Sequence, residues 1–79
     1  MAQVTVRYWA GARDAAGTDE ERVEAPSTAV LVSELTRRGE PLAGVLVRSS
    51  LLVDGLVVRE DVPLADGQVV EVLPPFAGG

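Results

Sequence analysis

The last six residues, Pro74-Pro75-Phe76-Ala77-Gly78-Gly79, are incompatible with a helix interior or a central strand, and they directly follow an alternating strand pattern at Val69–Leu73. Proline fixes its own φ and lacks an N–H, and Pro75 also drives Pro74 toward an extended conformation. We therefore expect one folded domain at residues 1–73 and a flexible, projecting tail at residues 74–79. Fully extended, that tail would reach about 20 Å. Gly78 and Gly79 lack Cβ atoms, so another protein's backbone can close tightly around them.

The residue types present exclude several classes of protein. The 79 residues include no Cys and no His, which removes disulfides, thiolate nucleophiles and the commonest general base and metal ligand. All seven basic residues are Arg, so no side-chain amine is available for an isopeptide bond. The net charge of −5 argues against nucleic-acid binding. We expect a chain without bound metal or cofactor that is not catalytic alone.

No feature of the sequence indicates a membrane or secretory protein. No apolar run approaches about 18 residues, and a polar-alternating strand rather than a signal sequence follows Met1. The expectation is a cytoplasmic protein.

Five segments have strand patterns. Val4–Trp9 alternates, which places Val4, Val6 and Tyr8 on one face and Thr5, Arg7 and Trp9 on the other. Asp54-Gly55 suits a two-residue hairpin turn, because both positions tolerate positive φ. The predicted strands are Val4–Trp9, a polar edge strand Glu20–Glu24, the hairpin arms Leu51–Val53 and Leu56–Val58, and Gln68–Leu73.

One main helix is predicted between the second and third strands. Pro26-Ser27-Thr28 is a helix-start pattern with Ser27 or Thr28 as the N-cap, and Gly39 ends the helix. It should span about residues 29–38 and bury Val32 and Leu35, with Leu31. Residues 10–17 are expected to be a loop, and residues 41–47 a short helix or turn.

This order of elements predicts an α+β domain with the β-grasp fold, a mixed sheet of about five strands crossed by one main helix. In that fold the first and last strands are central, adjacent and parallel. The helix would cover Val4, Val6, Val70 and Val72. The opposite face would carry Trp9, Val69 and Leu73, beside Arg7 and Glu71 as an ion pair or as two solvated charges.

The whole chain resembles the ubiquitin-like sulfur carriers, and most of all the small subunit of molybdopterin synthase (the MoaD type). The resemblance rests on four segments of this sequence. They are Val4–Trp9 followed by Ala10 and Arg13, Leu52-Val53-Asp54-Gly55, Leu64-Ala65-Asp66-Gly67, and the ending Leu73-Pro74-Pro75-Phe76-Ala77-Gly78-Gly79.

The resemblance implies a reaction at the C-terminal carboxylate of Gly79. A MoeB-like activating enzyme would use ATP and Mg²⁺ to adenylate it, and a sulfur donor would convert the adenylate into a thiocarboxylate. The tail, with Phe76, Ala77 and Gly78, would then enter the pocket of a MoaE-like large subunit. There the sulfur passes to a pterin precursor, in molybdenum cofactor biosynthesis.

The resemblance also implies a docking surface for these partners. The predicted partner-binding residues are Trp9, Val57, Val69, Leu73 and Arg13. Independently of the resemblance, an exposed aromatic beside apolar neighbours usually marks a partner site, although a core position for Trp9 is an alternative. The acidic run Asp19-Glu20-Glu21 is interpreted as solvated rather than as a metal site.

Other functions remain open at the level of sequence. One alternative is a sulfur carrier for thiamine (the ThiS type) or cysteine biosynthesis, since these carriers share the fold and the Gly-Gly end. Another is a ubiquitin-like modifier or interaction module.

Overall fold

Two parallel strands lie side by side at the centre of the sheet, the first strand of the chain and the last. The computed structural model describes residues 2–75. The elements are β1 (Gln3–Tyr8), α1 (Ala10–Ala16), β2 (Glu20–Glu24), α2 (Thr28–Thr36), α3 (Leu42–Arg48), β3 (Ser50–Val53), β4 (Leu56–Val58) and β5 (Val69–Leu73).

The strand order in the sheet is β2-β1-β5-β3-β4. Strands β1 and β5 pair in parallel, with Val6 opposite Val70 and Tyr8 opposite Val72, and the other three pairings are antiparallel. The predicted β-grasp fold, with five strands and a polar edge strand at β2, is therefore confirmed.

All three helices contribute buried side chains to one core on one side of the sheet. The predicted strand residues Val4, Val6, Val70 and Val72 are at most 1% exposed. The helices add Ala12 from α1, Leu31 and Leu35 from α2, and Leu42 and Leu46 from α3. Burying a Leu or Val side chain stabilises the folded state by about 1.5–3 kcal/mol, so this layer holds the helices on the sheet.

One residue of the predicted core stripe lies elsewhere. Leu31 and Leu35 are fully buried, whereas Val32 is only half-buried and does not join the core cluster. Leu31 and Leu35 are four residues apart and share one helix face, and the next residue, Val32, is rotated about 100° away from Leu31. Val32 instead lines the gap between α2 and the β3–β4 hairpin, near Leu51 and Val58.

The prediction of a loop at residues 10–17 is wrong, because Ala10–Ala16 forms α1. Gly11 and Gly17 suggested a loop, but three of the seven helical residues, Ala12, Ala15 and Ala16, pack against or within the core. Alanine is the best helix former, and tertiary packing compensates for the shortness of the segment. Gly17 ends the helix at φ +78, and its N–H donates to the Arg13 carbonyl.

The start of α2 is as predicted, and its end is earlier. The Ser27 side chain accepts a hydrogen bond from the Val30 N–H, so Ser27 is the N-cap, and Asp61 Oδ1 accepts one from the Ala29 N–H at 2.9 Å. The hydrogen bond from Ala29 holds the pKa of Asp61 below its usual value. The helix ends at Thr36, and α3 confirms the short second helix.

The hairpin turn between β3 and β4 is also as predicted, with Asp54 at φ +49 and Gly55 at φ +84. The Asp54 carboxylate then reaches the last strand, where it accepts hydrogen bonds from the Val69 N–H at 2.9 Å and from Gln68 Nε2 at 3.1 Å. The turn therefore fixes the start of β5, the strand that leads into the tail.

The last strand ends at Leu73, immediately before Pro74 and Pro75. Phe76, Ala77, Gly78 and Gly79 lie outside the described residues, so the division into a domain at 1–73 and a tail at 74–79 stays a prediction. Within the described part, no helix is both long and apolar enough to cross a membrane.

Candidate functional site

The sheet surface that faces away from the three helices is called here the outer face. Its members follow from strand alternation and register, since residues paired across strands share a face. One row runs across all five strands, with Arg7 next to Glu71 and Leu52 next to Val57. From β2 to β4 that row is Glu20, Arg7, Glu71, Leu52 and Val57.

The outer face is apolar toward β3 and β4 and charged toward β1 and β2. The structure brings together on this face four of the five predicted partner-binding residues, Trp9, Val57, Val69 and Leu73. Trp9 is 42% exposed and Val57 is 52% exposed, while Val69 and Leu73 are half-buried. Partly exposed apolar side chains grouped around charged residues in this way are typical of an interaction surface.

Leu52 also belongs to the outer face, and the sequence-based prediction missed it as a docking residue. It is half-buried and lies between Glu71 on β5 and Val57 on β4. The sequence carried only part of the signal, because alternation places Leu52 on the face opposite to Leu51 and Val53 without showing which face is the outer one. A run of three apolar residues hides which of them faces outward until the pairing register is known.

Trp9 is held in a defined orientation at the end of β1. Its backbone is extended, with φ −115 and ψ 146, and its N–H donates to the Val72 carbonyl at 3.2 Å. The indole Nε1 donates to Glu71 Oε2 at 3.0 Å, and Arg7 Cζ lies 5.8 Å from the ring centroid. Tyr8 is 3% exposed, so the prediction that Tyr8 and Trp9 face opposite sides is confirmed.

The ion pair considered between Arg7 and Glu71 does not form. The register does place these residues side by side, but the Arg7 Nε lies 3.7 Å from Glu20 Oε1 on the neighbouring edge strand. Glu71 accepts from the Trp9 indole instead. Each charge therefore has a partner that strand alternation alone did not indicate.

Arg13, the fifth predicted partner-binding residue, is on α1 rather than in a loop. Its Nε lies 3.7 Å from Asp19 Oδ1, and both side chains are exposed. Arg13 lines a depression with Arg7 and Trp9, between α1 and the start of β2. It therefore borders the outer face without being part of the sheet.

Each side chain of the acidic run Asp19-Glu20-Glu21 is paired with a basic or hydroxyl group, and the depression that Asp19 and Glu20 line also carries Arg7 and Arg13. Asp19 contacts Arg13, and Glu20 contacts Arg7. Within residues 2–75 no group of three or more acidic side chains is arranged to hold a metal ion.

Glu21 links three elements behind the outer face. Its Oε2 accepts a hydrogen bond from the Tyr8 hydroxyl at 2.7 Å and from Arg38 Nη1 at 2.6 Å. The hydrogen bond from Arg38 holds the pKa of Glu21 below its usual value, and it raises the pKa of Arg38. Burial is the main cause that raises the pKa of the Tyr8 hydroxyl, and the hydrogen bond to Glu21 is the second cause. The network ties β1 and β2 to the end of α2 and so supports the strand that presents Trp9.

Trp9 lies at the end of the central strand pair from which the chain continues into Pro74 and Pro75. Tyr8 is opposite Val72 in the parallel pair, so the next residues along the two strands are Trp9 and Leu73. Pro74 is half-buried and Pro75 is exposed. The four predicted tail residues that would enter a partner, residues 76–79, lie beyond the described part of the chain.

Comparison with known sequences assigns the chain to a family. The sequence model of the ThiS family matches residues 6–79, nearly the whole chain and including its Gly-Gly end. The chain belongs to the ThiS family. No curated protein sequence gives a significant match.

Solved structures with this fold include other proteins of similar length. A putative molybdopterin converting factor, subunit 1, from Pyrococcus furiosus is 32% identical over 95% of this chain and 99% of that one, with a TM-score of 0.84. The small archaeal modifier protein 1 from Methanosarcina acetivorans is 26% identical over 100% and 98% of the two chains, with a TM-score of 0.85.

A third structure supports the fold alone. It is a complex of subunits 1 and 2 of the molybdopterin-converting factor from Helicobacter pylori, in which the matched chain is 24% identical to this one. The match covers 98% of this chain and 99% of that chain, with a TM-score of 0.78.

Proposed function

We propose that this ThiS-family chain is the sulfur-carrying small subunit of a molybdopterin synthase. The observation that carries the proposal is the 32% identity, over nearly the full length of both chains, to the Pyrococcus protein named as molybdopterin converting factor subunit 1. In this role Gly79 bears the transferable sulfur, and the product pathway is molybdenum cofactor biosynthesis.

The chemistry at Gly79 takes place in two steps. An activating enzyme with ATP and Mg²⁺ joins the carboxylate oxygen to the α-phosphorus of ATP, giving an acyl adenylate and releasing pyrophosphate. Sulfide (HS⁻) supplied by a sulfur donor then attacks the acyl carbon, the bond from that carbon to the AMP oxygen breaks, AMP leaves with the electron pair, and loss of the sulfur-bound proton gives the thiocarboxylate. The thiocarboxylate is a good nucleophile toward the pterin precursor, and after transfer and hydrolysis Gly79 is a carboxylate again.

We assign the acid–base groups of the transfer to a partner rather than to this chain. It lacks His and Cys, and its Glu21 is already engaged by Tyr8 and Arg38. In the proposed arrangement a larger subunit provides the catalytic groups, while this chain provides the sulfur.

The outer face is suited to dock that subunit and to direct the tail into it. Trp9 and Leu73 occupy the end of the central strand pair, where residues 74–79 begin. A partner seated on Trp9, Leu73, Leu52 and Val57 therefore lies next to the point from which the tail departs. From there six residues can reach up to about 20 Å, enough to place Gly79 in a buried pocket.

Deletion of Gly79 tests the proposal in an assay reconstituted with the large subunit, the activating enzyme and a sulfur donor. The truncated chain should form no thiocarboxylate in intact-mass spectra and no pterin product, with unchanged thermal unfolding. As a positive control, the full chain prepared chemically as its Gly79 thiocarboxylate should give one turnover with the large subunit and no ATP. Product formation by the truncated chain would contradict the proposal.

The same assay separates the pathways that use related carriers. A thiocarboxylate that forms on Gly79 but does not react with the pterin precursor would favour thiamine or cysteine biosynthesis. Identification of the protein that co-purifies with the chain from its native cells would then decide between these two.

A second candidate function is covalent protein modification, favoured by the 26% identity to the Methanosarcina modifier protein. Gly79 would then form an amide with an amine of a target protein. Because this chain has no Lys, its own side chains could not extend such a conjugate. Trypsin cleaves after Arg59, the last basic residue, so a conjugated lysine would carry residues 60–79. Peptides with that remnant would support modification, and their absence from a denatured pull-down would count against it.

A further inference from the structure

We propose that Glu71 determines which protein can dock on the outer face. One of its carboxylate oxygens holds the Trp9 indole, and the other receives a cationic side chain, Arg or Lys, of the docking partner. This inference rests on the proposed function in one respect, that the outer face is where the large subunit binds.

Glu71 lies in the middle of the outer face. It is on β5, the central strand, with Arg7 beside it on β1 and Leu52 beside it on β3. Val57 on β4 extends the apolar side of this row. Glu71 is itself half-buried in the free protein. A partner that covers both Trp9 and Leu52 cannot avoid covering Glu71 as well.

No basic side chain among residues 2–75 forms an ion pair with Glu71. Among residues 2–75, the only hydrogen-bond donor to its carboxylate is Trp9 Nε1, which reaches Oε2 at 3.0 Å. Arg7 is the adjacent cation in the register, but it pairs with Glu20 at 3.7 Å and lies against the indole ring. Among residues 2–75 no donor reaches the Oε1 oxygen, which leaves that oxygen to be hydrated by solvent water.

Docking removes that water. A carboxylate that loses its water without gaining a cationic partner strongly opposes association, whereas an Arg or Lys placed against it restores the lost interactions. The surface that fits this face is therefore apolar, with one cationic side chain at its centre. An apolar surface without that charge is rejected, which gives the face specificity beyond its hydrophobic contacts.

The second role of Glu71 is to orient Trp9 before docking. An exposed Trp side chain held by a hydrogen bond and by Arg7 loses little freedom when a partner binds, so more of the contact energy is available for affinity. The two roles of Glu71 are separable. Glu71→Gln keeps a carbonyl acceptor for the indole but removes the charge, while Glu71→Ala removes both.

The indole contact can be measured on the free chain, because Trp9 is the only Trp. In time-resolved fluorescence anisotropy, Glu71→Ala should increase the amplitude of the fast local motion of the indole, and Glu71→Gln should leave it near the wild-type value. Glu24→Ala is the matched control, because Glu24 is on the same face of β2, opposite Gln3 and away from Trp9. Equal local motion in the wild type and Glu71→Ala would overturn the orienting role.

The partner contact is measured by titration calorimetry with the molybdopterin-converting factor subunit 2 of the source organism. Glu71→Gln should weaken binding by about tenfold or more, and Glu71→Lys should weaken it further. The affinity of Glu71→Gln should also depend less on salt than that of the wild type. Glu24→Gln should bind as the wild type does. Thermal unfolding of each variant shows whether its fold is retained.

The outcomes separate this inference from the proposed function. If the wild type binds subunit 2 and Glu71→Gln binds equally well, the inference about a cationic partner is wrong and the proposed function stands. If the wild type does not bind subunit 2, the proposed function and the partner role of Glu71 both fail. The anisotropy measurement then still decides whether Glu71 orients Trp9.

Discussion

The backbone N–H of Trp9 donates a hydrogen bond to the carbonyl oxygen of Val72 at 3.2 Å. This bond extends the parallel pairing of β1 and β5 one residue beyond the end of β1. The bond therefore ties Trp9, the exposed aromatic residue of the outer face, directly to β5, the strand that leads into the tail. A partner that binds Trp9 therefore lies at a fixed distance from Leu73, the residue that precedes the tail.

Replacement of Trp9 by Ala should weaken binding of the large subunit by about 2 kcal/mol or more if Trp9 is a docking hot spot. Folding stability should fall much less than for a core truncation such as Leu35→Ala, which should cost about 2–5 kcal/mol. The reason is that Trp9 is 42% exposed whereas Leu35 is fully buried. Calorimetric titration and denaturant unfolding measure the two quantities. If the Trp9→Ala variant binds the large subunit with wild-type affinity, Trp9 is not part of the docking surface.

Replacement of Phe76 by Ala should slow sulfur transfer and weaken binding of the large subunit while domain stability stays nearly constant. Phe76 is the only aromatic residue among residues 74–79, and its burial in a partner channel could contribute about 1.5–3 kcal/mol. Single-turnover transfer from the Gly79 thiocarboxylate and thermal unfolding are the measurements. Lower domain stability with normal transfer would instead mean that Phe76 packs on its own domain.

Glu21 should make folding stability depend on acidic pH. Its pKa in the folded protein is below its ordinary value of 4.5, so its contribution is complete above about pH 4.5 and is lost as pH falls through the folded pKa. Glu21→Gln should therefore destabilise the protein at pH 7 by about 0.5–1 kcal/mol, a range kept low because Arg38 is exposed and solvent screens the pair.

The difference between Glu21→Gln and the wild type should shrink at pH 3, as followed by urea unfolding at both pH values. Glu24→Gln is the matched control on the same strand, since Glu24 is exposed and pairs in register with Gln3. A difference that stays constant from pH 7 to pH 3 would show that the carboxylate charge of Glu21 does not stabilise the fold.

Replacement of Ala10 by Gly should leave stability unchanged or raise it by up to about 1 kcal/mol. Ala10 is at φ +47, a left-handed conformation that costs residues with a Cβ about 1–2 kcal/mol and costs glycine almost nothing. The control is Ala29→Gly, in the exposed first turn of α2, which should destabilise by about 0.5–1 kcal/mol. Equal destabilisation by both substitutions, measured by denaturant unfolding, would show that Ala10 is not strained.

Patterns that depend on near neighbours were predictable. The alternation in β1 and β5 assigned Val4, Val6, Val70 and Val72 to the core, and Asp54-Gly55 indicated the hairpin turn. Both depend on steric rules that act over two to four residues. For the same reason the helix start was predictable, with Ser27 or Thr28 as the N-cap, and the structure decides for Ser27.

Predictions failed where the outcome depends on packing between elements that are distant in the sequence. The Ala-rich segment at residues 10–16 is helical because Ala12, Ala15 and Ala16 pack against the core, and no local pattern reveals that packing. Leu52 was missed for a related reason, because only the pairing of β3 with β5 and β4 decides that it faces outward.

The sequence by itself determined the order of the strands and the main helix and, with it, the β-grasp fold, since these follow from periodicity and turn residues. Only the tertiary structure decided how the outer face is organised. Arg7 and Glu71 are adjacent in the register, yet Arg7 pairs with Glu20 and Glu71 with the Trp9 indole. A charged side chain bonds to whichever group packing brings within reach, and for Glu71 that group is 62 residues away in the sequence.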